Sequence, residues 1–242
     1  MMFHIVFEHE HWLAIDKPAG VSFHSEQANT TGELGVIEQL RSQLNTRDLW
    51  PVHRLDKLTS GLLLVAKSKA AAAQLSAMFA EHQVQKYYLA IAAQKPKKKQ
   101  GWVIGDMALA RRGAHKLLPT RTNPAITQFF SVAWGKGQRL CLLKPHTGKT
   151  HQLRVALKSL GAPIVGDTLY GGTLNNANKP DETVADTRMY LHAYALDFVY
   201  DQQHFQLTCL PTQGAAWTDL PGQLTAQGWD QPWQLTWPAL NK

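Results

Sequence analysis

The sequence predicts an α+β fold with a mixed, largely antiparallel central sheet flanked by helices and loops. The chain has 242 residues, 44% of them hydrophobic, and it contains no internal repeat. A chain of this length and composition can bury one large core. Short β-rich runs occur in pairs, and helical patterns lie irregularly between them. This order favours α+β over a doubly wound parallel sheet.

The first half of the chain begins with a hairpin pattern. Residues 3–7 and 12–16 are β-rich runs on either side of a polar Glu-His-Glu-His turn. Apolar residues at helical spacing then predict helices over residues 32–44 and 70–81. The run KYYLAIAA, residues 86–93, is predicted to be the next strand.

The second half follows a polar break, QKPKKKQG, at residues 94–101. A helix is predicted over residues 150–161, with Gly161 as the residue that ends it. Residues 171–187 are polar and rich in turn formers, which predicts a mobile excursion. The strands predicted in this half cover residues 126–134, 138–145, 189–200 and 204–210.

The charge balance favours a polyanionic partner. The chain has 25 Lys and Arg against 18 Asp and Glu, and phosphates attract such a surface through counterion release. The N-terminus mixes charges with its apolar residues, and no stretch has the length of a membrane span, so we expect a cytoplasmic protein. Cys141 and Cys209 lie in apolar contexts and are expected to be reduced core thiols.

The stretch HRLDKLTSG, residues 53–61, precedes an apolar run. In an extended segment Arg54 and Asp56 point to the same side, while Leu55 points into the core. One interpretation is a surface ion pair with an Asx-type turn. The other is a lone reactive carboxylate held at the rigid end of a strand. A single carboxylate argues against ordinary glycoside hydrolysis, which needs two.

Two further stretches have the same ambiguity. Thr147, Lys149, Thr150, His151 and Arg154 lie on a turn that leads into a helix, where anionic groups bind well. An ordinary amphipathic helix would explain the same pattern. In VQKYYLAIA, strand alternation sends one tyrosine to the core and the other to the opposite face, where its ring could stack on a base.

Six motifs occur in a fixed order along the chain. They are KPAG at residues 17–20, HRLDKLTSGLL at 53–63, KYYLA at 86–90, TGKTHQLR at 147–154, PIVGDTLYG at 163–171 and LHA at 191–193. In this set the chain resembles the RluA-type pseudouridine synthases, as a small member without an N-terminal S4 domain. It departs from the family pattern at Ala156, where relatives often have His.

The resemblance implies an isomerase that converts uridine in tRNA or rRNA to pseudouridine, without a metal or organic cofactor. Asp56 would be its catalytic carboxylate, and Arg154 would pair with it. Tyr88 would stack on the flipped uracil and Leu153 would pack on it. Arg54 would replace the extruded base or grip its phosphate.

The resemblance also implies an RNA-binding surface. The residues that we expect to contact RNA are His53, Lys17, Lys149, His151, Lys97, Lys98 and Lys99. A solvated loop would explain the lysine run at 97–99 equally well. We expect a monomer with a catalytic domain over residues 1–215. A Trp-rich extension over residues 216–242 would pack on that domain.

Two other functions compete with this prediction. A catalytically inactive RNA-binding protein of the same fold would explain the charge, but it would not need Asp56, Tyr88 and Arg154 together. A metal-dependent hydrolase would use His4, His9 and His11, which lack the HExxH spacing and are better explained by a solvated turn.

Overall fold

The computed structural model describes residues 2–23, 25, 34–135, 137–171 and 188–240. The fold is α+β, with a mixed, mostly antiparallel sheet and few helices, as the sequence predicts. The helices are α1 Val36–Leu44, α2 Lys69–Ala80, α3 Gln152–Ser159 and α4 Leu220–Gln227. The strands are β1 His4–Glu8, β2 Trp12–Lys17, β3 Trp50–Pro51, β4 Ser60–Ala66, β5 Gln85–Ala92, β6 Gln100–Gly105, β7 Met107–Leu109, β8 His115–Leu117, β9 Ala125–Ala133, β10 Arg139–Pro145, β11 Leu191–Tyr200 and β12 Gln203–Thr208.

The chain divides into two compact units. Unit 1 consists of Met1–Lys86 and His192–Pro211, and unit 2 consists of Tyr87–Leu191 and Thr212–Lys242. The predicted boundary at residue 215 stays a prediction, because this division separates the chain at other positions.

Unit 1 contains the predicted N-terminal hairpin, β1 with β2. Its strands lie in the order β1-β2-β4-β11, with β3 paired to β4 and β12 paired to β11. All of these pairs are antiparallel except β4 with β11. Helix α2 begins at Lys69 and is capped by Ser68, whose side chain accepts a hydrogen bond from Ala71 N. The helix packs its apolar face on the sheet. The resulting core fixes the strand register of this unit.

Gly61 lies at a close backbone approach between two strands of this sheet. It pairs with Lys17 of β2 on one side and with Ala193 of β11 on the other. Its φ is +104°, and a Cβ at this position would lie 2.3 Å from Ala193 O. No residue with a side chain fits here without moving backbone. Glycine is therefore required at this point of the HRLDKLTSG motif.

Unit 2 has the strand order β5-β10-β9-β6, all antiparallel, and a separate β7–β8 hairpin. Helix α3 ends at Ser159 with Leu160 as its C-cap, and Gly161 follows with a left-handed φ, as the sequence predicts. The C-terminal residues from Thr212 belong to this unit. Elements β3, β6, β7, β8 and α4 were not predicted. Strands β3, β7 and β8 have only two or three residues each, β6 begins inside the polar break at residues 94–101, and α4 contains Pro and Gly.

Several predictions concern the limits of these elements. Helix α1 begins at Val36, while residues 32 and 33 of its predicted span lie outside the described residues. Most of the predicted excursion, residues 172–187, also lies outside them. Cys141 and Cys209 are buried and free, as expected for core thiols. Among the described helices, none is long and apolar enough to cross a membrane.

Candidate active site

Asp56 lies on a short turn that is fixed on both sides. Leu55 before it is buried, as strand alternation predicts, while Arg54 is exposed and Asp56 is half-buried. After it, Thr59 N donates a hydrogen bond to Asp56 O at 3.0 Å, and Thr59 is itself buried. Strand β4 begins with the next residue. The carboxylate is therefore carried by a segment whose neighbours cannot easily move.

His192 of the LHA motif anchors the end of this turn. Its Nε2 donates to Cys209 O at 2.9 Å, because a carbonyl oxygen can only accept. Burial lowers the pKa of His192 to about 4, so the ring is neutral near pH 7. Its Nδ1 then accepts the hydroxyl of Ser60 at 2.9 Å. One ring nitrogen of His192 thus holds the backbone of Cys209, and the other holds the side chain of Ser60 in the motif.

His53, the first residue of the motif, also has a structural environment. Its Nε2 accepts a hydrogen bond from Leu64 N at 2.9 Å, and its ring stacks on Phe79 with the centroids 4.2 Å apart. Burial and the Lys86 ammonium lower its pKa to about 3. A neutral ring that is already bonded offers no cation to a phosphate. This argues against the RNA contact predicted for His53.

Lys17 is fully buried, which argues against the phosphate contact predicted for it. Its Nζ donates to Pro18 O at 3.0 Å, Val21 O at 3.0 Å and Lys57 O at 3.2 Å. Burial lowers its pKa to about 8, while the carboxylates of Asp56 and Asp16 raise it. A lysine has three N–H donors, and three carbonyls take them. Sequence reasoning missed this role because KPAG carries no sign of burial.

One group of side chains has the spacing of metal ligands. Within the described residues, Asp16, His192 and Cys209 offer ligand atoms within 4.8 Å of one another. Both nitrogens of His192 are already hydrogen-bonded. Burial and the neighbouring Asp16 raise the pKa of Cys209 to about 12, so the thiol keeps its proton. The donor set fits a hydrogen-bonded core cluster better than a metal site. The predicted alternative of His4, His9 and His11 does not form such a group.

The two adjacent tyrosines of β5 differ in exposure. Tyr87 is 1% exposed, and its ring lies 5.9 Å from that of Trp237 and 5.5 Å from the Lys144 ammonium. Tyr88 is half-buried. The sequence predicts that the two rings take opposite faces and that Tyr87 lies in the core. The burial of Tyr87 confirms the second part of that prediction.

Helix α3 carries Leu153 and Arg154, which are both buried. Arg154 forms a two-point ion pair with Asp167, with Nε–Oδ2 at 2.7 Å and Nη2–Oδ1 at 2.8 Å. Sequence reasoning missed Asp167 as a partner, although the PIVGDTLYG motif contains it. The predicted pair of Arg154 with Asp56 joins residues of different units and stays a prediction.

The turn before α3 is largely held by its own side chains. Gln152 Oε1 accepts from Thr147 Oγ1 at 2.7 Å and from Lys149 N at 3.0 Å. Lys149 Nζ donates to Asn123 Oδ1 at 2.7 Å, and His151 Nδ1 lies 3.0 Å from the Tyr170 hydroxyl. Thr147 therefore serves the turn. Lys149 and His151 are half-buried and keep part of their side chains at the surface.

Comparison with known proteins now gives the family. Residues 11–159 match the family model for RNA pseudouridylate synthase. The chain belongs to the RluA-type RNA pseudouridine synthases. It is 50% identical over 217 residues to an uncharacterized RNA pseudouridine synthase of Haemophilus influenzae, covering 90% of this chain and 91% of the relative.

Two further proteins agree with this assignment. The chain is 31% identical over 247 residues to tRNA pseudouridine synthase C of Vibrio parahaemolyticus, covering 94% of this chain and 96% of the relative. The solved structure of human RNA pseudouridylate synthase domain containing 1 matches with a TM-score of 0.70 and 26% identity, over 99% of this chain and 97% of that one. The protein is therefore an isomerase that acts on RNA.

The positive charge of this synthase is concentrated in one segment of unit 2. Residues 95–121 contain eight Lys and Arg and one acidic residue, so their formal charge equals the +7 of the whole chain. Lys97, Lys98 and Lys99 are exposed there, as are Arg111 and Arg112 at the tip of the β7–β8 hairpin. The sequence analysis did not select these two arginines as candidates for RNA contact, although they are adjacent in the sequence.

The Trp-rich C-terminus of the synthase packs on the sheet of unit 2. Trp102 Nε1 and Gln128 Nε2 both donate to Pro238 O, at 2.8 and 3.0 Å. The ring of Trp237 lies 4.9 Å from that of Phe130, and Trp229 is buried. These contacts place Trp229 and Trp237 in packing roles. They also explain why Tyr87 is buried.

The burial of Lys17 leads to a test that separates structure from RNA binding. Lys17→Met removes the donor from the carbonyls of Pro18 and Val21. We expect the free energy of unfolding to fall by about 2 kcal/mol, the cost of leaving buried acceptors unpaired. Urea unfolding measures this. The salt dependence of RNA binding should stay unchanged, whereas loss of about one unit of log–log slope would restore the phosphate contact.

Proposed function

We propose that this synthase converts specific uridines of tRNA or rRNA to pseudouridine, with Asp56 as its catalytic carboxylate and the target base flipped out of its stack. The observation that carries the proposal is the way in which the protein holds Asp56 in place. Its turn is held by buried Leu55 and Thr59, and the Lys17 ammonium lies close enough for the two charges to interact. A half-buried carboxylate on a rigid turn suits a group that must meet one carbon atom of a substrate.

The reaction needs only one such group. The N1–C1′ bond breaks, the uracil turns, and C5 bonds to C1′. The proton on C5 leaves and N1 takes up a proton, so water is neither consumed nor released. Asp56 can serve by adding to the base, by attacking C1′ or by abstracting the 2′ proton. All three routes begin from the ionised carboxylate, beside which Lys17 places a positive charge.

The remaining site residues would handle the base. We assign Tyr88 to stacking on the uracil and Leu153 to packing on it, because flat apolar surfaces bind a base without needing its hydrogen bonds. Arg154 would pair with Asp56 and hold its carboxylate in the required direction. Arg54 is exposed beside Asp56, as a residue must be that replaces an extruded base or grips its phosphate.

RNA would be gripped through its phosphates. Lys149 and His151 lie at the turn before α3, and Lys97, Lys98 and Lys99 lie in the basic segment, residues 95–121. Contacts of this kind fix the position of the RNA but carry no sequence information. The relative named tRNA pseudouridine synthase C, which the chain matches over nearly its full length, makes tRNA the first substrate to test. The monomeric state and the cytoplasmic location predicted from the sequence stay predictions.

The central test is Asp56→Asn. We expect it to abolish pseudouridine formation and leave the fold intact, because the amide keeps the shape of the side chain but not its charge. Pseudouridines are mapped in tRNA and rRNA from cells that lack the gene and carry either the wild-type or the variant copy. A site that appears with the wild type and not with the variant identifies the target.

The matched control for this test is Asp48→Asn, which neutralises an exposed carboxylate of the same unit. It should restore the modification as well as the wild type does. Retention of more than a few percent of the activity by Asp56→Asn would exclude Asp56 as the catalytic group. If the wild-type gene restores no site in either RNA, the proposed substrates are wrong.

The adjacent tyrosines provide an internally matched pair of variants. Tyr88→Leu should lose turnover, because the stacking surface for the uracil is gone, with little change in stability. Tyr87→Leu should mainly lower the melting temperature, because its ring packs against Trp237 and Lys144. Single-turnover rates and thermal unfolding separate the two effects. The reverse pattern would assign the base contact to Tyr87.

The basic segment allows RNA binding to be tested separately from chemistry. Changing Lys97, Lys98 and Lys99 to Gln should weaken binding of every RNA alike and reduce the log–log salt slope by about two to three units. Turnover at saturating RNA should survive, since the lost contacts are the same in the ground and transition states. The measurement is a titration of one stem-loop at several salt concentrations.

The control for this prediction changes exposed cations of unit 1. Arg47→Gln with Lys69→Gln removes two charges outside the basic segment and should leave the slope unchanged. An unchanged slope in the triple lysine variant would return residues 97–99 to a solvated loop. An equal loss of slope per charge in both variants would show that net charge matters and position does not.

A further inference from the structure

We propose that Asp167 is a positioning residue for Arg154, an inference that rests on the proposed role of Arg154 in the reaction. Asp167 is 0% exposed and the side chain of Arg154 is 6% exposed. Their two hydrogen bonds, at 2.7 and 2.8 Å, lie at the short end of the range for charged groups. A two-point contact fixes both the position and the plane of the guanidinium.

Asp167 is itself held by its own turn. Its Oδ1 also accepts from Leu169 N and Tyr170 N, each at 3.2 Å. Its own N–H donates to Ile164 O at 3.1 Å. The carboxylate therefore cannot rotate without breaking backbone hydrogen bonds as well as the ion pair.

The segment before Asp167 is fixed to the sheet of unit 2. Val165 N donates to Ile91 O at 2.8 Å, and Tyr190 N donates to Val165 O at 3.0 Å. A Cβ on Gly166, whose φ is +77°, would lie 1.8 Å from Arg188 O, so only glycine fits this approach. The Asp167 turn thus rests on strand β5, the strand that carries Tyr88.

Tyr170, three residues after Asp167, contacts both Arg154 and the start of α3. Its ring lies 4.9 Å from the Arg154 guanidinium carbon. Its hydroxyl accepts from His115 N at 2.9 Å and forms a hydrogen bond with His151 Nδ1 at 3.0 Å. His151 has a left-handed backbone, with φ 58°, which this bond helps to keep. The PIVGDTLYG motif therefore supplies both the carboxylate and the ring that fix Arg154.

This arrangement also fixes the direction of the other donors of Arg154. A guanidinium carries five N–H donors in a rigid fork, and Asp167 uses two of them along one edge. The three others lie on the remaining edges of the same plane. Because Asp167 sets that plane, it sets the direction in which Arg154 acts. Removing Asp167 would leave the charge of Arg154 in place but not its orientation.

The test is the kinetics of Asp167→Asn. We expect kcat to fall about 100-fold through misplacement of Arg154, with KM for RNA unchanged. Because the amide leaves a buried arginine without its anion, this variant can fail to fold. Asp167→Glu keeps the charge but shifts the carboxylate by one methylene, and it should also lower kcat. Normal kcat in a folded Asp167→Asn or Asp167→Glu variant overturns the proposal.

A structural role is separated from a positioning role by a double-mutant cycle. If Asp167 acts through Arg154, Asp167→Asn should cost less than about threefold in kcat when Arg154 is already Lys. The matched control is Tyr190→Phe, which removes a hydroxyl that accepts a hydrogen bond from Ala216 N in the same unit. It should lower the melting temperature and leave kcat unchanged. If the two substitutions lower kcat independently, so that their effects multiply in the double variant, Asp167 contributes to stability only.

A second measurement does not depend on activity. In ¹⁵N spectra, the Arg154 Nε–H should be protected from exchange in the wild type and exchange rapidly in Asp167→Asn. Protection that survives the substitution overturns the positioning role, whatever the enzyme acts on. Loss of protection in a protein that makes no pseudouridine would support the positioning geometry while rejecting the proposed function. The two proposals therefore fail by different results.

Discussion

The close approach of the Gly61 backbone to Ala193 is the constraint on which the Asp56 region depends. Gly61 lies between Lys17 of β2 and Ala193 of β11, so three strands meet in one row. A side chain at this position would force the strands apart. Because Ser60 is paired with His192 in the neighbouring row, any shift at Gly61 also moves the hydroxyl–imidazole bond. The turn that carries Asp56 ends at Thr59, directly before these two rows.

Lys17 adds a buried positive charge to the same region. Burying an ammonium is expensive, and its lowered pKa shows that burial is the dominant influence. Three backbone carbonyls compensate part of this cost, and two of them, Pro18 O and Val21 O, lie in the segment after β2. The third, Lys57 O, adjoins Asp56. One buried charge thus ties the KPAG turn to the HRLDKLTSG turn and places a positive charge near the carboxylate.

The sequence predicted the fold class and most elements because their hydrophobic periods are strong. The N-terminal hairpin, α2, β5 and α3 were all located to within about two residues of their predicted limits. The short β7 and β8 gave no usable period, since three residues cannot show alternation. Helix α4 was missed for a different reason, because its Pro and Gly are typical of turns.

The candidate site was predictable in composition but not in burial. Motif resemblance selected Lys17 and His53, but only the three-dimensional structure shows that both side chains are already hydrogen-bonded inside the protein. The pair of Arg154 with Asp167 was missed because 13 positions separate the two residues, and neither a helical nor a strand period links them. Long-range pairs of this kind depend on tertiary structure. A single sequence contains no direct signal of such long-range pairs.

Unit 1 and unit 2 each bury a cation, and the two cations are hydrogen-bonded by different kinds of acceptor. Lys17, a compact charge on a flexible stem, is satisfied by carbonyl dipoles, which leave its formal charge uncompensated. Arg154, a planar fork, is satisfied by a carboxylate that matches its geometry and compensates its charge. Lys17 can therefore act at short range as a positive charge. In the proposed reaction, Arg154 contributes mainly direction, through donors whose plane Asp167 sets. Exchanging the two residue types would remove the property that each position uses.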